Sequence, residues 1–305
     1  MVRKPECSPA ALASDEPAVG TAAEAVCWVV LEQPGPWGRV AATESHLDPD
    51  LGRYLDRVVG AAGGRFALLR QVGEHADAHR PDFRPLVLIA GGRPEAPWLL
   101  RGQLAEAADL FSLPTDHLGD ATPDAVRAAL PGLAPVADPV LLVCTNGRRD
   151  LCCAAFGRPV AESAAAARPG RVFETTHTGG HRFAPTAVLL PSGQTYARLT
   201  PDTALAALDA ADRGEIAVDL AGSMHDRGRS AVPKAGQAAE FAVRHLLGDR
   251  RLSGYAVAAE GPDWRVTRGS ESWLVEVTGE TTERVRPESC GKAPAPVVEW
   301  RIRIR

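Results

Sequence analysis

Short apolar runs, each followed by a polar segment rich in glycine or proline, alternate with stretches of helical periodicity along most of the chain. In the first half, a helix is predicted to begin after Asp48, because Leu51, Leu55 and Val58 recur at helical spacing and Asp48 can cap it. A shorter helix is predicted over 103–111. The strands of this half are predicted over 27–31, 65–70, 86–90 and 98–100.

The second half repeats the same order of elements. Its helices are predicted over 150–167 and 202–212, and its strands over 140–143, 171–175, 187–190 and 195–199. Strand, loop, helix, strand, loop, hairpin and helix is the thioredoxin-like order, although other α/β chains give a similar one. We expect an α/β protein with two thioredoxin-like units in tandem, each with a mixed sheet.

The pattern changes at both ends of the chain. Residues 1–22 are rich in proline, alanine and acidic residues and lack periodicity, which predicts a disordered lead. A helix over 234–247 is followed by alternating polar and apolar positions, which predict a C-terminal antiparallel β segment. The predicted divisions are therefore 1–22, 23–135 for the unit without a cofactor, 136–250 for the unit with the candidate site, and 251–305.

Composition and charge exclude several classes of partner. The chain has 305 residues, 45% of them hydrophobic and 24% charged, and a net charge of −4. This balance is globular, and it lacks the basic face that binding to nucleic acid or to an anionic membrane requires. No apolar run is long enough to span a bilayer and no signal peptide is apparent, so we expect a cytoplasmic protein. Clustered cysteines in that reducing compartment indicate metal or redox chemistry.

Three of the six cysteines cluster where a strand leads into a helix. Cys144 ends the predicted strand, and Cys152 and Cys153 lie in the first turn of the next helix. The positive end of that helix and the neighbouring Arg148 and Arg149 favour thiolates and anionic sulfur centres. The remaining cysteines are expected to have no role in this chemistry: Cys7, Cys27 and Cys290.

Two histidines follow the next predicted strand. His177 and His181 flank Gly179 and Gly180, which allow a turn tight enough for both rings to bind one metal ion. The alternative is two ordinary polar loop residues. The two loops are expected to lie at one end of the sheet, which favours a site shared with the cysteines.

Two other polar segments are interpreted without a cofactor. His75 and His79 occupy the matching loop of the first half, but no cysteine accompanies them, so they are expected to be surface residues. The basic segment 225–230 is expected either to bind an anion or an acidic partner, or to be a solvated turn.

Three sequence features carry a resemblance to a known family: the cysteine spacing, the segment Thr176-His-Thr-Gly-Gly-His-Arg-Phe-Ala-Pro-Thr186 and the segment Leu190-Pro-Ser-Gly193. Together they resemble the sucrase/ferredoxin-like family. The resemblance is dense over 138–247. It is weaker toward the start, where Glu32-Gln-Pro-Gly-Pro-Trp-Gly38 also matches.

The resemblance implies a thioredoxin-like [2Fe-2S] ferredoxin with two cysteine and two histidine ligands. Cys144 and Cys153 would hold one iron, and His177 and His181 the other. Cys152 would pack beside the cluster or serve as the alternative thiolate. The implied role is electron transfer without catalysis, between donor and acceptor proteins that the sequence does not identify. No motif places a pair of glycosidase carboxylates, so sucrase activity is not expected.

Imidazole ligands make reduction of a [2Fe-2S] centre easier than thiolates do, and they titrate. We therefore expect proton-coupled electron transfer, with a potential that falls as the pH rises. Two alternatives remain open from the sequence. The same four ligands suit tetrahedral Zn²⁺ in a structural or regulatory site, and Cys144 with Cys152 or Cys153 could serve a thiol oxidoreductase.

Overall fold

The computed structural model of the protein describes residues 6–76 and 83–305. The α-helices are α1 (Cys7–Ala13), α2 (Ala41–Glu44), α3 (Pro49–Ala61), α4 (Asp124–Ala129), α5 (Leu151–Ala167), α6 (Pro201–Ala211) and α7 (Lys234–Leu247). The strands up to the middle of the chain are β1 (Trp28–Glu32), β2 (Arg65–Arg70), β3 (Leu86–Arg93), β4 (Ala96–Gln103), β5 (Leu133–Pro135), β6 (Val140–Cys144) and β7 (Val172–Thr175). The later strands are β8 (Ala187–Leu190), β9 (Gln194–Tyr196), β10 (Asp226–Arg229), β11 (Tyr255–Glu260), β12 (Asp263–Arg268), β13 (Glu271–Pro287) and β14 (Pro294–Ile304).

Local sequence signals set the ends of the main helices. The carboxylate of Asp48 accepts hydrogen bonds from the amides of Asp50 and Leu51 at the start of α3, as the sequence predicts. Asp150 caps α5 by accepting from the amide of Cys152. The predicted helix over 103–111 forms instead as a shorter 3₁₀ helix, Ala107–Ser112.

Both halves contribute to one sheet of ten strands, in the order β10-β9-β8-β6-β7-β2-β1-β3-β4-β5. In the first half β1 pairs with β2 in parallel and with β3 antiparallel, and β3 pairs with β4. In the second half β6 pairs in the same way with β7 and β8, and β8 pairs with β9. The two halves therefore repeat one strand arrangement, but they share a sheet rather than forming one each.

Strands β2 and β7 join the two halves. They pair antiparallel, with Leu69 opposite Thr175 and Arg70 opposite Glu174. Each half keeps an apolar cluster of its own. Leu51, Leu55 and Val59 of α3 contribute to the first cluster, and residues of α5 and α6 contribute to the second.

The predicted C-terminal antiparallel segment forms a four-stranded sheet in the order β11-β12-β13-β14. Helix α7 packs on it through Ala239 and Val243, which share a buried cluster with Tyr255, Val266 and Val275. The α/β class with a C-terminal antiparallel sheet is thus confirmed. The boundaries of the predicted divisions and the thioredoxin-like name stay predictions.

The predicted disordered lead is wrong for the residues that are described, 6–22. Helix α1 lies in this segment, and Cys7 and Ala11 of the helix are fully buried. The hydroxyl of Ser8 donates to the carbonyl of Ala184, so the segment packs on the second half. Small residues gave no periodic signal, although alanine and cysteine bury readily.

His79, which is predicted to be a surface residue, lies outside the described residues. Among the residues that the structure describes, no helix combines the length and the apolar composition needed to cross a bilayer.

Candidate metal centre

The candidate site lies where two neighbouring parallel strands end. Cys144 is the last residue of β6, and it pairs in register with Thr175, the last residue of β7. The chain after β6 leads to Cys152 and Cys153, and the chain after β7 leads to the histidine loop. Because parallel strands end at the same edge of a sheet, the two loops leave the sheet side by side.

Helix α5 brings Cys153 back to Cys144. The two thiols are hydrogen-bonded to each other, and each is almost completely buried. Gly157, one turn further along α5, makes this close approach possible. A Cβ atom at Gly157 would lie only 2.3 Å from the carbonyl oxygen of Cys144, so any larger residue would push the helix away from the strand.

The histidine loop turns sharply at its two glycines. Gly179 and Gly180 have φ angles of +87° and +71°, a region that residues with side chains rarely adopt. As a result His177 and His181 face each other, with ring centroids 4.9 Å apart. The Nδ1 atom of each ring is buried and has no hydrogen-bond partner in the described part of the chain.

These residues fit a metal centre. One possible ligand atom from each of Cys144, Cys153 and His177 lies within 4.8 Å of the others. His181 falls outside that group but lies beside it through its contact with His177. Buried imidazole nitrogens without hydrogen bonds, placed next to two thiols, are available as ligands. The donor set suits either a [2Fe-2S] cluster or zinc.

The electrostatics distinguish the two thiols. The hydrogen bond from Cys153 holds the pKa of Cys144 well below its usual range, and His177 and the amide of Thr178 act in the same direction. The same hydrogen bond raises the pKa of Cys153, because breaking it is needed to remove that proton. Burial lowers the pKa of His181. Of the two thiols, Cys144 therefore loses its proton first, and burial favours the neutral form of the His181 imidazole.

A buried arginine supports the histidine loop. Arg227 is 1% exposed, and its guanidinium donates to the carbonyl of Gly179 and to the carbonyl and hydroxyl of Thr21. Burial lowers its pKa to about 9. Both sequence interpretations of segment 225–230 assumed an exposed basic loop, and for Arg227 both are therefore wrong. The polar composition of the segment indicated an exposed position, and nothing in the sequence links Arg227 to the histidine loop.

Cys152 faces a different set of residues. Its sulfur lies 3.5 Å from the sulfurs of both Cys7 and Cys290, and Asp150 completes a group whose possible ligand atoms lie within 4.8 Å of one another. Cys7 and Cys290, for which the sequence predicts no role, therefore lie against Cys152. They come from opposite ends of the chain, so no local spacing could have signalled this group. Cys27 lies apart, buried immediately before β1 in the apolar cluster of the first half.

The two arginines between the cysteines line separate depressions. Arg149 lines a depression of about 230 Å³ beside His177, together with Arg39 and Arg65. Arg148 lines an open cleft of about 360 Å³ with Trp37. Of the two, Arg149 is therefore the one beside the histidine side of the site.

His75 is not a free surface residue. Its Nε2 atom lies 2.8 Å from both carboxylate oxygens of Glu174, which is completely buried at the junction of the two halves. That the first unit carries no cluster stays a prediction.

A model of the sucrase/ferredoxin-like family matches residues 18–220, two thirds of the chain. The matched segment contains Cys144, Cys153, His177 and His181, whereas Cys7 and Cys290 lie outside it. No curated protein and no solved structure matches the chain.

Proposed function

The chain belongs to the sucrase/ferredoxin-like family, and from this premise we propose that it is an electron-transfer protein with a [2Fe-2S] cluster. Its ligands are Cys144 and Cys153 on one iron and His177 and His181 on the other. The observation that carries the proposal is the convergence of two buried thiols and an imidazole within 4.8 Å at the end of β6 and β7, with the ring centroid of a second imidazole 4.9 Å from the first.

The position of the side chains supports Cys153 rather than Cys152 as the second thiolate. Cys153 is hydrogen-bonded to Cys144. Cys152, the next residue of the same helix, points toward Cys7 and Cys290 instead. Adjacent helical residues differ in direction by about 100°, so the two sulfurs cannot serve one site together in this helix.

When bound, the cluster supplies one-electron oxidation and reduction, and imidazole ligation places its potential above that of an all-cysteine ferredoxin. The histidines of the chain hold the proton that is taken up from solvent on reduction. Each imidazole that binds through one nitrogen carries its exchangeable proton on the other. Electron uptake adds negative charge beside these rings and strengthens their hold on that proton. The potential should therefore fall as the pH rises through the imidazole pKa of the oxidised state.

The histidine side is the more accessible side of the site. Cys144 and Cys153 are 1% and 0% exposed, whereas 17% of the His181 side chain is exposed. Because electron transfer weakens steeply with distance, we place the exchange of electrons with donor and acceptor proteins on this side. Arg39, Arg65 and Arg149 lie beside His177 and give the histidine side of the site a positive surface, which suits an acidic partner protein.

A cytoplasmic location accompanies this role. All six cysteines are free thiols, including three whose sulfurs lie close together, and thiols persist in a reducing compartment.

The first experiment is the visible spectrum of protein purified without oxygen, followed by dithionite reduction and low-temperature EPR. A red-brown protein with two irons per chain and a rhombic S = 1/2 signal after reduction is expected. A colourless protein that binds zinc at Cys144 and Cys153, and takes up no iron on reconstitution, would replace electron transfer with a zinc site.

The burial of Cys144 and Cys153 disfavours the alternative of a thiol oxidoreductase, because the thiolate of such an enzyme must reach its substrate.

A further inference from the structure

A second group of ligands lies next to the proposed iron site. The sulfurs of Cys7, Cys152 and Cys290 form a nearly equilateral triangle with sides of 3.5, 3.5 and 3.6 Å. A carboxylate oxygen of Asp150 lies 3.5 Å from the Cys7 sulfur and 3.2 Å from the Cys290 sulfur. We propose that these four residues form a separate tetrahedral zinc site.

The distances are those of a tetrahedron. With zinc–sulfur bonds of about 2.3 Å, two sulfurs on one zinc ion lie roughly 3.8 Å apart. With a zinc–oxygen bond of about 2.0 Å, sulfur and oxygen lie roughly 3.5 Å apart. The five edges given above agree with these values to within a few tenths of an ångström, and the sixth, between Asp150 and Cys152, is within 4.8 Å. Three thiolates and one oxygen suit zinc rather than magnesium or calcium, which bind oxygen ligands.

The surroundings can stabilise the charge of the bound form. Zinc binding removes one proton from each thiol and leaves a site with a net charge of −2, counting the carboxylate. Backbone amides already point at the ligands. The amide of Ser8 donates to the Cys152 sulfur, and the amide of Glu6 donates to the Cys290 sulfur. Arg286, 3% exposed, lies close enough for its charge to interact with Cys7.

Asp150 is held in position for this role. Its Oδ2 atom accepts from the hydroxyl of Ser289 and the amide of Cys290, both at 2.8 Å. Its Oδ1 atom accepts from the amide of Cys152. These hydrogen bonds orient the carboxylate and bring the C-terminal loop to the start of α5, so the fourth ligand is in place before zinc binds.

A disulfide accounts for the group less well than zinc does. Three thiols at nearly equal distances leave one unpaired in any disulfide, whereas a zinc ion uses all three. Cys7 and Cys152 are fully buried, whereas Cys290 is half-buried and is therefore the most exposed of the three thiols.

The site would fasten three distant segments together: α1 at the start of the chain, the first turn of α5, and the loop between β13 and β14. Because α5 also carries Cys153, zinc would hold the helix that supplies a ligand to the iron site. The proposal does not depend on the identity of the cofactor at Cys144, because it uses no ligand of that site.

The test measures zinc and iron per chain in the full-length protein, purified in reducing buffer and supplied with equimolar Zn²⁺. One zinc per chain is expected. Cys7→Ser and Cys290→Ser should each lower zinc affinity at least tenfold while keeping the iron content. Cys153→Ser should lose iron and keep zinc. Cys27→Ser is the matched control, because Cys27 is as buried as Cys7 and Cys153 but belongs to neither group, and it should keep both metals.

Cobalt gives a readout that does not depend on the variants folding fully. Wild-type protein loaded with Co²⁺ should show the visible bands of a tetrahedral site together with thiolate charge transfer, and one equivalent of zinc should abolish them. The proposal is overturned if wild-type protein binds no zinc or cobalt under these conditions. It is equally overturned if zinc persists in both Cys7→Ser and Cys290→Ser, or if peptide mapping finds a disulfide between Cys7 and Cys290 in protein kept in reducing buffer. Zinc lost only in Cys153→Ser would place it at the Cys144 site instead, which would contradict both proposals.

Discussion

The Nε2 atom of His181 lies 3.9 Å from the Oδ2 atom of Asp150, and this contact connects the two ligand groups of the protein. His181 lies beside the group of Cys144, Cys153 and His177 through its contact with His177, whereas Asp150 lies with Cys7, Cys152 and Cys290. At this distance the carboxylate acts on the imidazole through its charge rather than through a hydrogen bond. The charge of Asp150 therefore acts on the histidine side of the iron site.

Asp150→Asn should lower the pKa of His181 in the metal-free protein further. Burial already lowers it, and the negative charge of Asp150 opposes that effect. Because the folded pKa lies below the unfolded one, His181 contributes stability above about pH 6.5 that is lost as the pH falls. NMR of protein with ¹³C-labelled histidine measures the midpoint. Asp120→Asn, which removes the carboxylate from the exposed pair with His117, should leave it unchanged. A midpoint that rises in Asp150→Asn would contradict the prediction.

Gly157→Ala should weaken iron binding. The new methyl group would lie 2.3 Å from the carbonyl oxygen of Cys144, so α5 must move and take Cys153 with it. We expect a loss of about 1–3 kcal/mol in the free energy of unfolding and a lower iron content after reconstitution. Gly60→Ala is the control, because Gly60 is also helical but the described residues outside its own helix leave open space for the added methyl. It should stabilise the protein by about 0.5–1 kcal/mol. Equal effects of the two substitutions would show that the close contact is unimportant.

The sequence predicts what local patterns encode. The apolar strands and the turn residues between them gave the repeated order of elements, and the cysteine and histidine segments identified the site residues that the structure brings together. In the described residues, β6 ends at Cys144 and α5 begins before Cys153, as expected.

Contacts between residues that are far apart in the chain could not be predicted from the sequence. Nothing in β2 or β7 alone signals that Arg70 and Glu174 pair and unite the two halves in one sheet. Cys7 and Cys290 meet although they are 283 positions apart. Arginine is usually an exposed residue, but Arg227 is buried and donates a hydrogen bond to the histidine loop. In each case a partner distant in the chain determines the position, and a single sequence carries no signal for that partner.

His177→Cys and His181→Cys should each lower the reduction potential of the cluster. A thiolate adds negative charge where a neutral imidazole stood, and all-cysteine centres lie near −400 mV against roughly −150 to +300 mV for centres with two histidines. We expect a fall on the order of 100 mV or more for each substitution. The double variant should also lose the pH dependence of the potential. Redox titration followed by visible absorption measures both effects. A wild-type potential that is constant between about pH 6 and 10 would exclude proton coupling through the histidines.

Glu174→Gln should destabilise the junction of the two halves. The buried carboxylate accepts from Arg70 at 2.7 Å and from the hydroxyl of Thr145 at 2.8 Å, and it contacts His75. Removing its charge leaves the Arg70 guanidinium, 4% exposed, without its ionic partner. We expect a loss of about 3–5 kcal/mol in urea denaturation. Asp209→Asn breaks a half-exposed pair with Arg168 and should cost less than about 1 kcal/mol. Similar losses in both variants would show that burial of the Glu174 pair adds nothing.

Asp226→Asn should stabilise the protein at neutral pH but not in acid. Asp226 is 4% exposed, and burial raises its pKa to about 6. Its Oδ1 atom accepts from the side chain of Gln194 and the amide of Gly228. An asparagine oxygen can accept both hydrogen bonds without carrying a charge into the interior.

The sign of this effect follows from the direction of the pKa shift. Below about pH 4 the carboxyl of Asp226 is protonated in both the folded and the unfolded chain, and burial carries no ionic penalty. Between about pH 4 and 6 only the folded chain holds the proton, so wild-type stability falls as the pH rises, and above this range the loss is constant. The advantage of Asp226→Asn should therefore grow from near zero at pH 4 to about 2 kcal/mol at pH 8. Urea denaturation across this range, at equal metal loading, measures it. Asp219→Asn, at an exposed position, should show no such trend, and an advantage of Asp226→Asn that grows toward acid would contradict the assigned cause.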